Sequence, residues 1–265
     1  MLFRSARFGY RYYALGCAAA DGCDAALAAA GGVDADPVGL APFADRIGAP
    51  LDVREIEAPS GAPWAVAGID TKPWPTSRQA LASVVAFRGI AVPTVEEIAR
   101  IVVRVPAAYR AMIDRAAMPA NRIESMLSVQ YQIALAALAP AKLDDAVRAE
   151  LPRDARIAAL MEKVQLVVDD DLGARFPRAW GSRVTVELRT GHALEAEALT
   201  APGSGARPLA WRELVGKHER VFAASGVAAG GRLDALARAC EGVGEGPGRG
   251  VARELVAITQ ELASV

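Results

Sequence analysis

In SRVTVELRTGHALEAEAL (182–199), apolar and polar residues alternate with period two on both sides of Thr190-Gly191-His192. Such alternation puts every second side chain on one face, so the stretch predicts two strands joined by a hairpin. ARIVVRVP, ended by Pro106, and VQLVVD (164–169) are rich in β-branched residues and predict two more strands. WAVAGID (64–70) reads as a short strand or extended segment. The expected sheet therefore has three or four strands, drawn from 64–70, 100–105, 164–169 and the 183–198 hairpin.

Helical patterns fill much of the remainder. YRYYALGCAAADGCDAALAAA (10–30) predicts a helix with small residues over much of its surface, ended by Gly31-Gly32. Residues 33–65 are rich in Pro, Gly and Asp and predict connecting structure with one short helix near 39–47. Thr76 to Gln79 fits a capping box ahead of a helix that stops at Gly89, and Thr94 to Glu97 fits a second box. Over 122–139, Ile123, Met126, Leu127, Tyr131, Ala134 and Leu138 fall on one stripe of a single helix. Helices 77–88 and 122–139 are expected to cover one face of the sheet. Asp154 is placed to cap ARIAALMEK, and after the turn-rich APGSGARP three more helices are expected: LAWRELVGKHERVFAAS, RLDALARACEGV and VARELVAITQELAS. The order predicts an α+β fold, with a mixed α/β domain (64–202) inserted between two pieces of an all-helical domain (1–63 and 203–265).

Charge and composition narrow the function. A formal net charge of −1 over 265 residues leaves no bulk field for nucleic acid or an acidic membrane surface. No apolar run approaches the roughly 18 residues of a membrane span, and the start has no secretory h-region. Cys17, Cys23 and Cys240 have neither metal-ligand spacing nor an even disulfide count, which fits a reduced, cytoplasmic protein. Because the chain enters a helix almost at once, with no element before it to cover that helix, an N-terminally truncated protein is expected.

The candidate chemistry lies in TKPWPTSRQ (71–79). Pro73 and Pro75 lock φ and remove two backbone donors, so the segment is stiff and Lys72 points in a defined direction. A helix begins immediately afterwards, and its free N–H groups attract anions. Lys72, Thr76, Ser77 and Arg78 together make a seat for a carboxylate; the plainer alternative is a rigid interdomain hinge with a solvated lysine.

TKPWPTSR resembles the Lys-Pro-aromatic-Pro segment of the MmgE/PrpD family, which includes 2-methylcitrate dehydratases and cis-aconitate decarboxylases. ALGCAAADGCDAALAAAGG is similar to its glycine-punctuated helix, and SVQYQIALAAL to its Ser-x-Gln-Tyr helix. VTVELRTGHALEAEALTAPGSGARPLAWRELVGKHERVF resembles its hairpin, Pro-Gly loop and Lys-containing helix. The resemblance implies a helical body and an α+β lid closing on a tricarboxylic acid, a homodimer in the full-length protein, and no metal or organic cofactor. It implies catalytic roles for Lys72 and Tyr131 and substrate contacts from Arg11, Lys72, Ser77, Arg78 and Tyr131. Arg11 stands near where the family often has lysine, and its fork suits bidentate carboxylate but cannot give up a proton. Ser77 takes a position where some members carry histidine. The histidines and aspartate that line the cleft from the family's first half have no counterpart here.

Two function classes follow. One is a lyase that removes a proton next to a carboxylate with loss of water or CO2, for which the chain offers cations and a hydroxyl but no convincing base. The other is a non-catalytic α+β binding or oligomerisation protein that retains the lid. His192 and His218 read as surface or packing residues, DDD (169–171) as a solvated turn, GEGPGRG (244–250) as a loop lacking the phosphate-binding ending, and Cys23 as a packed small residue.

Overall fold

The computed structural model describes residues 10–34, 39–48, 69–145, 148, 150–225, 231–241 and 257. The chain divides into two compact units, Met1–Gly68 and Ile69–Val265. The first carries α1 (Tyr10–Ala30) and α2 (Leu40–Arg46). Helix α1 ends as glycine allows: Gly31 N–H reaches back to Leu27 and Ala28 carbonyls, and Gly32 takes φ +89. Tyr13, Leu15 and Leu27 remain exposed on it.

The second unit is built on a four-stranded sheet in the order β2-β1-β3-β4. Its strands are β1 (Ile98–Val105), β2 (Val164–Val168), β3 (Ser182–Leu188) and β4 (Ala193–Ala198). Strand β1 runs parallel to β2, with Ile101 opposite Val164, and antiparallel to β3, with Ile101 opposite Val186. The hairpin forms as its alternation predicts, turning at Gly191 with φ +86 and placing Val184 opposite Ala196. Ile69 and Asp70 are coil and add no strand, because the 71 end of that segment bonds to the loop after β4 instead: Thr71 N–H donates to Gly203 carbonyl at 2.6 Å. Residues 64–68, and all of VARELVAITQELAS except Ala257, lie outside the described residues.

One sheet face is dry. Ile101, Val103, Val105, Val184 and Val186 are fully buried on it. Helices α3 (Arg78–Arg88), α4 (Ala107–Ile113) and α8 (Ala155–Glu162) pack on the strands. The 122–139 stretch, expected on the sheet, lies chiefly behind this layer: α6 (Val129–Leu138) packs on α3 and α8, with α5 (Arg122–Leu127) and α7 (Pro140–Asp144) beside it. The opposite face carries a charged ladder. Arg104 donates to Thr185 Oγ1, which donates to Glu195, and Arg183 pairs with both Asp169 and Glu197. These pairs are partly buried, with Asp169 the most enclosed, and they give the polar face its charged cover. After the hairpin come α10 (Trp211–Ser225) and α11 (Gly231–Glu241). The architecture is α+β.

Several expectations shift in detail. The helix over 122–139 is two helices, because Ser128 leaves the helical conformation, caps α6 by accepting from Tyr131 N–H, and donates to Arg115 carbonyl at 2.6 Å. Nor is α6 striped: Val129 to Leu135 are all buried, since α3, α7 and α8 surround it. The second capping box yields only a 3-10 turn at Val95–Glu97, without a side-chain cap. DDD is not a plain turn, because Asp169 accepts from Leu172 N–H and starts α9 (Asp170–Arg175).

Asp154 caps α8 by accepting from Arg156 and Ile157 N–H groups, each at 3.0 Å. Asp154→Ala is expected to lower stability by about 1 kcal/mol. A midpoint unchanged in urea unfolding would show that the cap contributes nothing.

Candidate functional site

The segment 71–78 is fixed in place by its neighbours. Trp74 is buried beneath the Arg88 guanidinium, which lies 5.5 Å from the ring centroid. Ser77 N–H donates to Met126 carbonyl at 2.9 Å, which holds Ser77 extended and lets its Oγ accept from Ala80 N–H. Ser77 rather than Thr76 therefore caps α3; the Thr76 side chain is buried outside the helix. Gln132 Nε2 reaches Pro75 carbonyl at 3.4 Å.

Lys72 is exposed, and its ammonium turns back to donate to Thr76 carbonyl at 2.9 Å. The charge is thereby held one residue before the cap of α3, beside the positive end of that helix. Arg78, in the first turn, is ion-paired with Asp70 and lies 4.5 Å over the Trp180 ring. Asp70 is in turn oriented by Gly205 N–H at 3.0 Å. Lys72, Ser77 and Arg78 are thus brought together at one helix entrance.

Tyr131 is fully buried, and its hydroxyl donates to Pro152 carbonyl at 3.1 Å. Burial pushes its phenol above the usual tyrosine range, against the opposing pull of Arg148 and Arg153. The α6 side chain bonded to the lysine segment is Gln132 instead. Arg11 lies on α1 in the other unit, and its side chain falls outside the described residues. His192 is exposed in the hairpin turn, and half-buried His218 has Nδ1 on the Leu214 carbonyl, 2.8 Å away.

Sequence reasoning missed Gln132, Arg148, Asp70 and Trp180. Gln132 had a usable signal, a second glutamine inside an otherwise apolar helix. Arg148, from AKLDDAVRAE, had none: among so many charges it reads as a solvated residue, yet it is 2% exposed. Among the described residues, no group of three or more His, Cys, Asp or Glu is placed to hold a metal, and no helix is long and apolar enough to cross a membrane.

The family model for the MmgE/PrpD C-terminal domain matches residues 77–240, from the cap of α3 into α11. The chain belongs to the MmgE/PrpD family, a family of dehydratase-like lyases. No curated protein matches it.

Proposed function

We propose that this chain supplies the lid of a MmgE/PrpD lyase, which dehydrates or decarboxylates a tricarboxylic acid such as 2-methylcitrate or cis-aconitate. In this reading residues 64–202 are the lid, and 1–63 and 203–265 belong to a helical body. The working enzyme is a cytoplasmic homodimer. The observation that carries the reading is the position of the Lys72 ammonium, held on Thr76 carbonyl at the entrance to α3. A tricarboxylate brings up to three negative charges, and closure over it strips away screening water. Each charge then needs a cation or N–H partner already in place. Lys72 takes one carboxylate, and Arg78 takes another in exchange for Asp70. Arg11 is a further candidate carboxylate contact, and Tyr131 enters by exchanging Pro152 for substrate. The proton-abstracting base comes from outside the described residues.

Lys72→Ala is expected to weaken citrate binding, measured by calorimetry, by about tenfold to a hundredfold, the worth of a hydrogen bond to a charged group. His192→Ala should leave it unchanged. Equal affinity in wild type and Lys72→Ala would return the segment to a hinge. A second reading, a non-catalytic α+β binding or oligomerisation protein, draws on α1, where Tyr13, Leu15 and Leu27 stay exposed. Citrate binding that fails altogether, together with concentration-dependent self-association, would favour it.

A further inference from the structure

We propose that Gln132 and Arg148 are positioning residues for the Lys72 seat, with the Arg148 guanidinium fixing which way the Gln132 amide faces. The proposal rests on the reading that Lys72 binds carboxylate. The segment is anchored at its two ends by Thr71 N–H on Gly203 carbonyl and Ser77 N–H on Met126 carbonyl. Between them Pro73 and Pro75 carry no N–H, so the stretch that bears Lys72 is held from outside mainly through its carbonyls. The Pro75 carbonyl accepts from Gln132 Nε2, and the next carbonyl, Thr76, accepts from Lys72 Nζ. A shift of the Pro75 peptide therefore moves the acceptor that holds the ammonium.

Gln132 is fully buried, and its amide faces two kinds of neighbour. Nε2 donates to Ser125 carbonyl at 2.7 Å and to Pro75 carbonyl at 3.4 Å, whereas Oε1 accepts from Arg148 Nη2 at 3.4 Å. Carbonyls only accept and a guanidinium only donates, so a single orientation of the amide satisfies all three. Arg148 is itself held by Leu143 carbonyl at 2.8 Å and Ser125 Oγ at 3.3 Å, while its Nε is buried without a partner among the described residues. Its backbone takes φ +45, which side-chain-bearing residues seldom adopt. Burial also depresses its pKa, to about 10, so holding a cation there is costly. A hydrophobic residue would fill this space with neither burden, and what the arginine adds is orientation of the amide.

The test follows Lys72 directly. The chain is labelled with 13C-dimethyl groups on its lysines, and the Lys72 signal is identified by its loss in Lys72→Arg. Gln132→Glu keeps the shape and the Arg148 pairing but removes both donations; Arg148→Lys keeps the charge but removes the fork. Both are expected to move the Lys72 signal and weaken citrate binding about tenfold, the loss of one hydrogen bond near a charge. Asp154→Ala, which destabilises elsewhere, should leave the signal in place. An unmoved Lys72 signal in either folded variant overturns the proposal. Should both variants unfold, the wild-type Gln132 side-chain amide decides: slow hydrogen exchange supports the network, and exchange at the solvent rate overturns it. A Lys72 signal that moves in a chain unable to bind citrate upholds the positioning network and defeats the carboxylate reading alone.

Discussion

Tyr109→Ala is expected to destabilise the second unit by about 3–5 kcal/mol in urea or thermal unfolding. Pro106 ends β1 and turns the chain into α4, which carries Tyr109 into the core at 4% exposure. Its ring stacks on Trp180 at 5.8 Å and 8°, and meets Phe176 edge-on at 5.8 Å. Its hydroxyl donates to Gly181 carbonyl at 2.7 Å. Truncation removes one of three mutually packed rings and leaves a cavity beside Trp180, the platform under Arg78. Trp180 then rests on Phe176 alone among the rings. Tyr109→Phe keeps the rings and strands only the carbonyl, for about 1–3 kcal/mol. An alanine variant within 1 kcal/mol of wild type would mean that the cluster packs without Tyr109.

The same side chain gives an alkaline signature. Burial holds the Tyr109 phenol well above the ordinary tyrosine range. Below about pH 10 it is neutral in both states and contributes no pH dependence. Above that, the unfolded chain loses its proton first, so the native state binds more protons and stability falls as pH rises. Tyr131, also raised, acts with the same sign. Tyr109→Phe should therefore flatten the alkaline loss without abolishing it.

Gly203→Ala is expected to be nearly as damaging, at about 2–4 kcal/mol. Gly203 has φ +83, and a Cβ built on it would fall onto the Thr71 carbonyl oxygen. The two residues are already joined by Thr71 N–H to Gly203 carbonyl, while Gly203 N–H donates to Arg207 carbonyl. Relief would have to come from Thr71, the residue before Lys72, so citrate affinity should fall with stability. Gly205 meets nothing within 4 Å, and Gly205→Ala should stay within about 0.5 kcal/mol of wild type. Equal stabilities for the two variants would show that the loop yields freely.

The sheet was readable because one of its faces is buried, which imposes a two-residue period on β3 and β4 and enriches β1 and β2 in branched residues. Burial on all sides leaves no period, which is why α6 looked like the continuation of a striped helix. Serine is tolerated within helices, so nothing local announced that Ser128 would break this one. Thr76 and Ser77 are both competent caps, and the choice between them is made by Met126 carbonyl, far away in sequence. The lysine segment stood out through its prolines, whereas the groups that orient it come from α6 and the stretch after α7. Their contribution depends on tertiary contact, which local pattern does not record.

The strand order also constrains how the second unit folds. The β3–β4 hairpin closes across a four-residue turn, 189–192, and needs no other element to do so. Strand β1 must wait: its parallel neighbour begins at Val164, across all of α4 to α8, and its antiparallel neighbour at Ser182. Each doubling of the loop to be closed adds only about 0.6 kcal/mol of chain entropy, but none of it is recovered until the strands meet. Sheets dominated by such distant pairings fold slowly. Until β1 docks, the hairpin lacks its neighbouring strand and presents an open edge, and this interval is when the nascent chain is most open to association with its own copies.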